Sequence, residues 1–273
     1  MRRQLPETSP SKANKSCPNK DPRHHSVRGG NRTALSDSFR GMPESTDADA
    51  LELAACMPVQ VDPTGFNENA VIPFGCKPEH IRKSMEDFQD WLGLVNGLMH
   101  ERKLPRLETM LMPANFSSIV GEFAVSSIPK YCPTVVKNAY HNGHPDIIPA
   151  GKFENDHCQH GNEGIEVKGS RYLKAWQGHN PEDTWLMVFV FESSRPTDRA
   201  KGIAPIPFRF RMVLGAALKE SDWLFAGRSG TSRRTITASV TDSGFQKMMA
   251  NWIYKAKELD KQELALITED GNE

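Results

Sequence analysis

The run Trp185-Leu186-Met187-Val188-Phe189-Val190-Phe191 is apolar without a break, and it constrains the fold more than any other stretch of the chain. Successive side chains of a strand point to opposite faces, so such a run is satisfied where both faces of the strand are covered. It predicts a buried central strand with a layer packed on either side.

Shorter extended segments surround it. Thr134 to Tyr140, Asp146 to Ile148 and Gly164 to Lys168 precede it, and Arg233 to Val240 reads as a last strand. Phe208 to Val213 alternates Phe208, Phe210 and Met212 with Arg209 and Arg211, which predicts one core face and one basic face.

Helical periods flank these strands. From Pro78 to about Lys103, Ile81, Met85, Phe88, Leu92, Val95 and Met99 recur at spacings of four and three, with Pro78 suited to the first turn. The segment NFSSIVGEFAVSSIP predicts a second helix capped by Asn115 or Ser117 and ended by Pro129. A closing helix is expected from about Ser243 to Leu259, with Phe245, Met249, Trp252, Ile253 and Ala256 on its core face. Strands framed by helices make a mixed α/β sandwich.

At 273 residues the chain suits one principal domain with attachments. Residues 1–50 carry Ser, Pro, Asn, Arg and Lys but few large apolar side chains, so they read as a flexible polar and basic arm in which His24 and His25 are solvated. A single α/β domain is expected over 51–265, and an acidic tail over 266–273 that frays. The five cysteines are scattered without a CxxC pair, which indicates neither a disulfide framework nor a zinc knuckle, and leaves reduced thiols. No stretch has the length of a membrane span and the N-terminus lacks a secretory apolar core, so a cytoplasmic location is expected.

Net charge is zero, so any nucleic-acid surface must come from local segregation of charge. Between Arg195 and Arg234 basic residues exceed acidic ones nine to three. The chemistry lies just upstream. In an Ile-Glu-Val-Lys strand Glu166 and Lys168 share a face, while Ile165 and Val167 point to the core. Asp146, opening its own short strand, meets them if the two strands pair. Two carboxylates at such a corner suit Mg²⁺, which keeps waters and takes few protein ligands, and a lysine beside them can orient the attacking water and offset developing charge.

The segments HPDII and GIEVK, with Pro145-Asp146 and Glu166-Val167-Lys168, resemble the signature of the PD-(D/E)XK nuclease superfamily, the restriction-endonuclease-like fold. The resemblance covers a catalytic core of about residues 115–195, including a helix before the motif and an apolar strand after it. It implies a restriction-endonuclease-like mixed β-sheet core flanked by α-helices. It further implies that Asp146 and Glu166 hold Mg²⁺ and that Lys168 assists the attacking water. Glu122, on the preceding helix, is the candidate for a further catalytic acid, and Gln177 for a glutamine after the motif.

His157, Cys158 and His160 invite a zinc reading, but adjacent His157 and Cys158 do not converge readily on one ion and a fourth ligand is missing. Arg171, Lys174, Arg209, Arg211, Arg228, Arg233 and Arg234 are the candidate DNA contacts, and a solvated charged surface explains the same residues. Trp176 is a better stacking candidate than Trp185 or Trp223. The expected protein is a Mg²⁺-dependent endodeoxyribonuclease, a restriction-type enzyme on duplex DNA, cutting both strands if it forms a homodimer. A repair or recombination nuclease is the near alternative. A non-catalytic DNA-binding protein on the same scaffold is the one from another class.

Overall fold

The computed structural model describes residues 45–178, 180–225 and 238–257, all within one compact unit, Pro43–Glu273. Among the described residues, five α-helices, α1 (Ser45–Ala55), α2 (Pro78–Glu101), α3 (Leu107–Met110), α4 (Pro113–Tyr131) and α5 (Asp242–Ala250), accompany nine strands. The strands are β1 (Val135–Lys137), β2 (Ile147–Pro149), β3 (Ile165–Ser170), β4 (Gln177–Gly178), β5 (Thr184–Glu192), β6 (Arg209–Leu218), β7 (Trp223–Phe225), β8 (Ala238–Val240) and β9 (Trp252–Lys255).

A mixed, mostly antiparallel sheet runs in the order β1-β2-β3-β5-β6-β9, with β3 and β5 its parallel pair. The apolar run occupies β5, between β3 and β6, and is covered on both faces as its composition demands. Met187, Phe189 and Phe191 join Ile165 and Val167 against Ile81, Phe88 and Leu92 of α2 and Phe116 and Val120 of α4. Leu186, Val188 and Val190 face the other way, toward Trp176, Phe245 and the small sheet β4-β8-β7. A row of Phe88, Phe208, Phe210 and Phe191 rings, with centroids 4.9–5.7 Å apart, ties α2 to the sheet.

Helix α2 follows the expected period, and Pro78 is in its first turn. Helix α4 starts earlier than expected, with Met112 as cap and Pro113 in its first turn, and Pro129 lies inside it near the end. A proline there removes one amide donor within the last turn, and the Cys132 amide still reaches the Ile128 carbonyl. Helix α1 begins at Ser45, within the stretch expected to be an arm.

Two expectations need correction. The closing helix stops at Ala250, and Trp252–Lys255 instead pairs with β6 as β9. Its Trp-Ile-Tyr run is as good a strand as a helix, and the open edge of β6 supplied the missing hydrogen bonds. In β6 the pairing shifts between Val190 and Phe191, leaving Arg211 as the extra residue of a bulge. Phe208 and Phe210 therefore face α2 and α4, while Met212 falls on the opposite face.

A buried polar hub fastens α1 and α3 to the rest. The Arg106 guanidinium, 2% exposed, donates to Glu52 at 2.8 Å and to Glu108 at 2.6 Å, and also to Ala55 O, Ile206 O and Ser194 Oγ. Asn96 of α2 donates to the other Glu108 oxygen at 2.9 Å. Each charge is hydrogen-bonded on several sides, which is the condition under which buried ions are tolerated.

Candidate active site

Strand β3 delivers two of the three expected groups. Ile165 and Val167 are in the helix-side core, so Glu166 and Lys168 project from the opposite face, where their partners across β5 are Leu186 and Val188. Glycine is required on both sides of this pair. A Cβ at Gly164 would stand 2.4 Å from the Ile147 carbonyl, and one at Gly169 would stand 2.4 Å from the Ser117 carbonyl of α4.

Asp146 comes from the loop before β2. Asn138 organises that loop from a buried position: its amide group donates to Pro145 O and Cys158 O, its oxygen accepts from the Tyr140 and Cys158 amides, and its own amide donates to Asp146 O. The Asp146 carboxylate then accepts the Val167 main-chain N–H at 2.8 Å. The carboxylate is thereby anchored to Val167, the residue that separates Glu166 from Lys168, and it feels the charges of both.

The charges form one connected set. Lys168 Nζ is 2.5 Å from Glu166 Oε1, and His144 Nδ1 is 2.9 Å from Glu166 Oε2. Burial, the Glu166 charge and hydrogen bonding between the two carboxyl groups push Asp146 well above the ordinary carboxylate range, against the opposing Val167 amide and Lys168. Burial would raise Glu166 too, but the bond from His144 and the charge of Lys168 outweigh it and hold Glu166 below that range. For Lys168 and His144 burial favours the neutral form, and Glu166 outweighs it, raising both.

His144 and Glu182 are members of this set that sequence reasoning missed. His144 sits two residues before Asp146, and its Nε2, buried and without a hydrogen-bond partner, lies 3.7 Å from Glu182 Oε1. The loop that invited a zinc reading has a different part: His160 stacks on His144 with ring centroids 5.6 Å apart, and the main chains of His144 and Gln159 are hydrogen-bonded. A histidine immediately before a Pro-Asp was the available signal, but its pairing with Glu166 depends on the tertiary fold.

Other expected members lie elsewhere. Glu122 is on the helical side of the sheet, exposed and 2.9 Å from Lys137, with no bond to Asp146, Glu166 or Lys168 among the described residues. Gln177 is exposed in β4. Trp176 is 4% exposed and donates to Tyr172 O, and Trp223 is likewise buried, so neither offers a free ring face for stacking.

Among the described residues, the candidate DNA contacts Arg171, Lys174, Arg209 and Arg211 are each engaged within the protein. Arg211 is buried at the bulge and is held 3.0 Å from Glu192, which Arg209 also contacts. Arg171 lies over the Phe116 and Phe191 rings and donates to Ser193, lining a pocket of about 220 Å³ with Arg195, Arg211 and Asp198. Lys174 stands over the Phe245 ring. Arg228, Arg233 and Arg234 fall outside the described residues.

Asp146 and Glu166 offer the oxygen ligands a hard cation takes, and a divalent ion would offset the burial and the Glu166 charge that raise the Asp146 pKa. The donor set fits Mg²⁺. No helix among the described residues is long and apolar enough to cross a membrane. Comparisons with protein-family models, with curated proteins and with solved structures gave no match.

Proposed function

We propose that this chain is a metal-dependent nuclease of the PD-(D/E)XK superfamily, with a restriction-endonuclease-like core, hydrolysing DNA phosphodiester bonds. The observation that carries the reading is the meeting of Asp146, Glu166 and Lys168 on one face of the sheet, joined by the Val167 amide. A helix before the motif, α4, and an apolar strand after it, β5, support the reading.

Asp146 and Glu166 would hold Mg²⁺, which when bound polarises the phosphodiester and lowers the pKa of a coordinated water. The chain's own groups do the rest. Lys168 presents a cationic amine beside the carboxylates, positioned to orient a nucleophilic water and offset charge developing on the phosphate. His144 holds the outer oxygen of Glu166, leaving the side chain one orientation.

Duplex DNA is the proposed substrate, cut in the manner of a restriction enzyme and on both strands by a two-fold dimer. A non-catalytic DNA-binding role is the second reading, favoured by one observation: both Glu166 oxygens are already engaged by His144 and Lys168.

The deciding experiment incubates supercoiled and linear duplex DNA with wild type, Asp146→Ala and Lys168→Ala, each with Mg²⁺ or EDTA. Cleavage by wild type with metal alone supports the nuclease. Equal cutting by the variants, or an inert wild type that still binds DNA, overturns it.

A further inference from the structure

A second cluster lies in a different part of the fold and carries soft ligands. Cys76 ends the loop before α2, His80 is in the first turn of α2, and Cys132 is the residue that closes α4. The two sulfurs, 56 residues apart in sequence, are 3.3 Å apart. One potential ligand atom from each of the three residues lies within 4.8 Å of the other two, a grouping in which Cys76 and Cys132 are buried.

We propose that Cys76, His80 and Cys132 form a zinc site that staples the start of α2 to the end of α4. Two thiolates and an imidazole are ligands typical of Zn²⁺, and a water would complete a tetrahedron. Binding releases the two thiol protons, so the ion and its thiolates together are neutral, which suits a buried place.

The surroundings fit ligands held ready for an ion. Thr134 Oγ1 lies 3.1 Å from Cys132 Sγ and donates to the Phe74 carbonyl, linking both sides of the cluster. The Lys77 amide donates to His80 Nδ1 at 3.2 Å, so the lone pair of that nitrogen is held toward the loop and an ion bound there would replace this amide bond. Phe74 and Gly75 both adopt positive φ, at 59° and 77°, turning the chain so that Cys76 points inward. Such outer partners orient first ligands and tune their affinity. Cys56 and Cys158 are buried but belong to no such grouping among the described residues.

The site has no local signature, because its ligands come as Cys-x₃-His and a distant Cys. The closing turn of α4 brings them together.

The test loads the full chain with Zn²⁺ under reducing conditions, removes free ion, and measures bound metal. Co²⁺ is loaded in parallel to read thiolate charge-transfer and tetrahedral bands. The expected result is about one equivalent of zinc per chain and a cobalt spectrum of a site with two sulfurs. Cys132→Ser should lose both, Cys56→Ser should keep both, and His80→Ala, which leaves both thiols in place, should weaken zinc binding at least about tenfold. A wild-type chain that retains no zinc overturns the proposal. So does a His80→Ala chain that binds zinc as tightly as wild type. A Cys76–Cys132 disulfide that persists after reduction and zinc loading, read by mass spectrometry of the alkylated, denatured chain, would overturn it too.

Discussion

The Asp146 carboxylate accepts a hydrogen bond from the main-chain amide of Val167, so the acid of the loop is anchored to the middle of the Glu-x-Lys strand itself. The two halves of the motif are joined by this side-chain-to-backbone bond, while His144 and Lys168 hold the two Glu166 oxygens.

That anchor sets up a pH-dependent conflict in the metal-free protein. Asp146 has its pKa raised by burial and by Glu166. Its contribution to stability is full below the ordinary aspartate range and is lost as pH rises through the elevated value. Asp146→Asn keeps an oxygen for the Val167 amide and removes the charge. In EDTA it should melt higher than wild type at neutral to alkaline pH, by on the order of 1–2 kcal/mol in unfolding free energy, with the difference vanishing in acid. Melting curves across pH check it, and Mg²⁺ should stabilise wild type and leave the variant unchanged.

Lys168 separates binding from chemistry. Lys168→Ala should retain Mg²⁺ binding by calorimetry while DNA cleavage falls by about 10²–10³, the scale of losing one charge-stabilising group. Loss of both together would show that the amine holds the carboxylates in place and has no part in the reaction.

His144 acts through Glu166 and is a positioning residue. In His144→Ala, Glu166 loses a partner that holds its pKa low, so the acid limb of the cleavage profile should move to higher pH. His144→Asn, whose amide can donate from near the place of Nδ1, should restore most of the profile. An unmoved pH profile in the alanine variant would remove His144 from the site.

The Arg106 hub predicts a stability effect remote from chemistry. Glu108→Ala would leave a buried guanidinium short of its anion and should cost about 3–5 kcal/mol, measured by urea unfolding. Replacing Arg106 and Glu108 together with apolar residues should cost less than the single change.

Gly169 tests the contact between α4 and β3. Gly169→Ala would press a Cβ to 2.4 Å from the Ser117 carbonyl and 2.9 Å from Val120, and should destabilise by about 1–3 kcal/mol. If the variant unfolds at the wild-type midpoint, that packing is looser than the distances indicate.

The parts of the fold legible in the sequence were those with a strong local period. The alternating charges of Glu166 and Lys168 and the unbroken run of β5 define their faces without help from the rest of the chain. What was illegible depended on partners. The Trp252–Tyr254 segment continues a helical period, yet β6 offered an edge to pair with, and a bulge at Arg211 reversed the parity expected for Met212. His144, Glu182 and Asn138 entered the site neighbourhood through loop geometry, which one-dimensional spacing does not carry. Glu122 had the right helix but the wrong side of the sheet.

The two-residue alternation of β3 makes the chemistry a record of correct strand registration. If β3 paired one residue out of step, Glu166 and Lys168 would be driven under α4, and Ile165 and Val167 would stand where the carboxylate and amine belong. A misregistered molecule would bury two charges and expose two apolar side chains, so it would be unstable and would also lack the cluster on which the proposed hydrolysis depends. Lengthening the connection between β3 and β5 leaves that alternation untouched, provided that Glu182 of the connection still reaches His144.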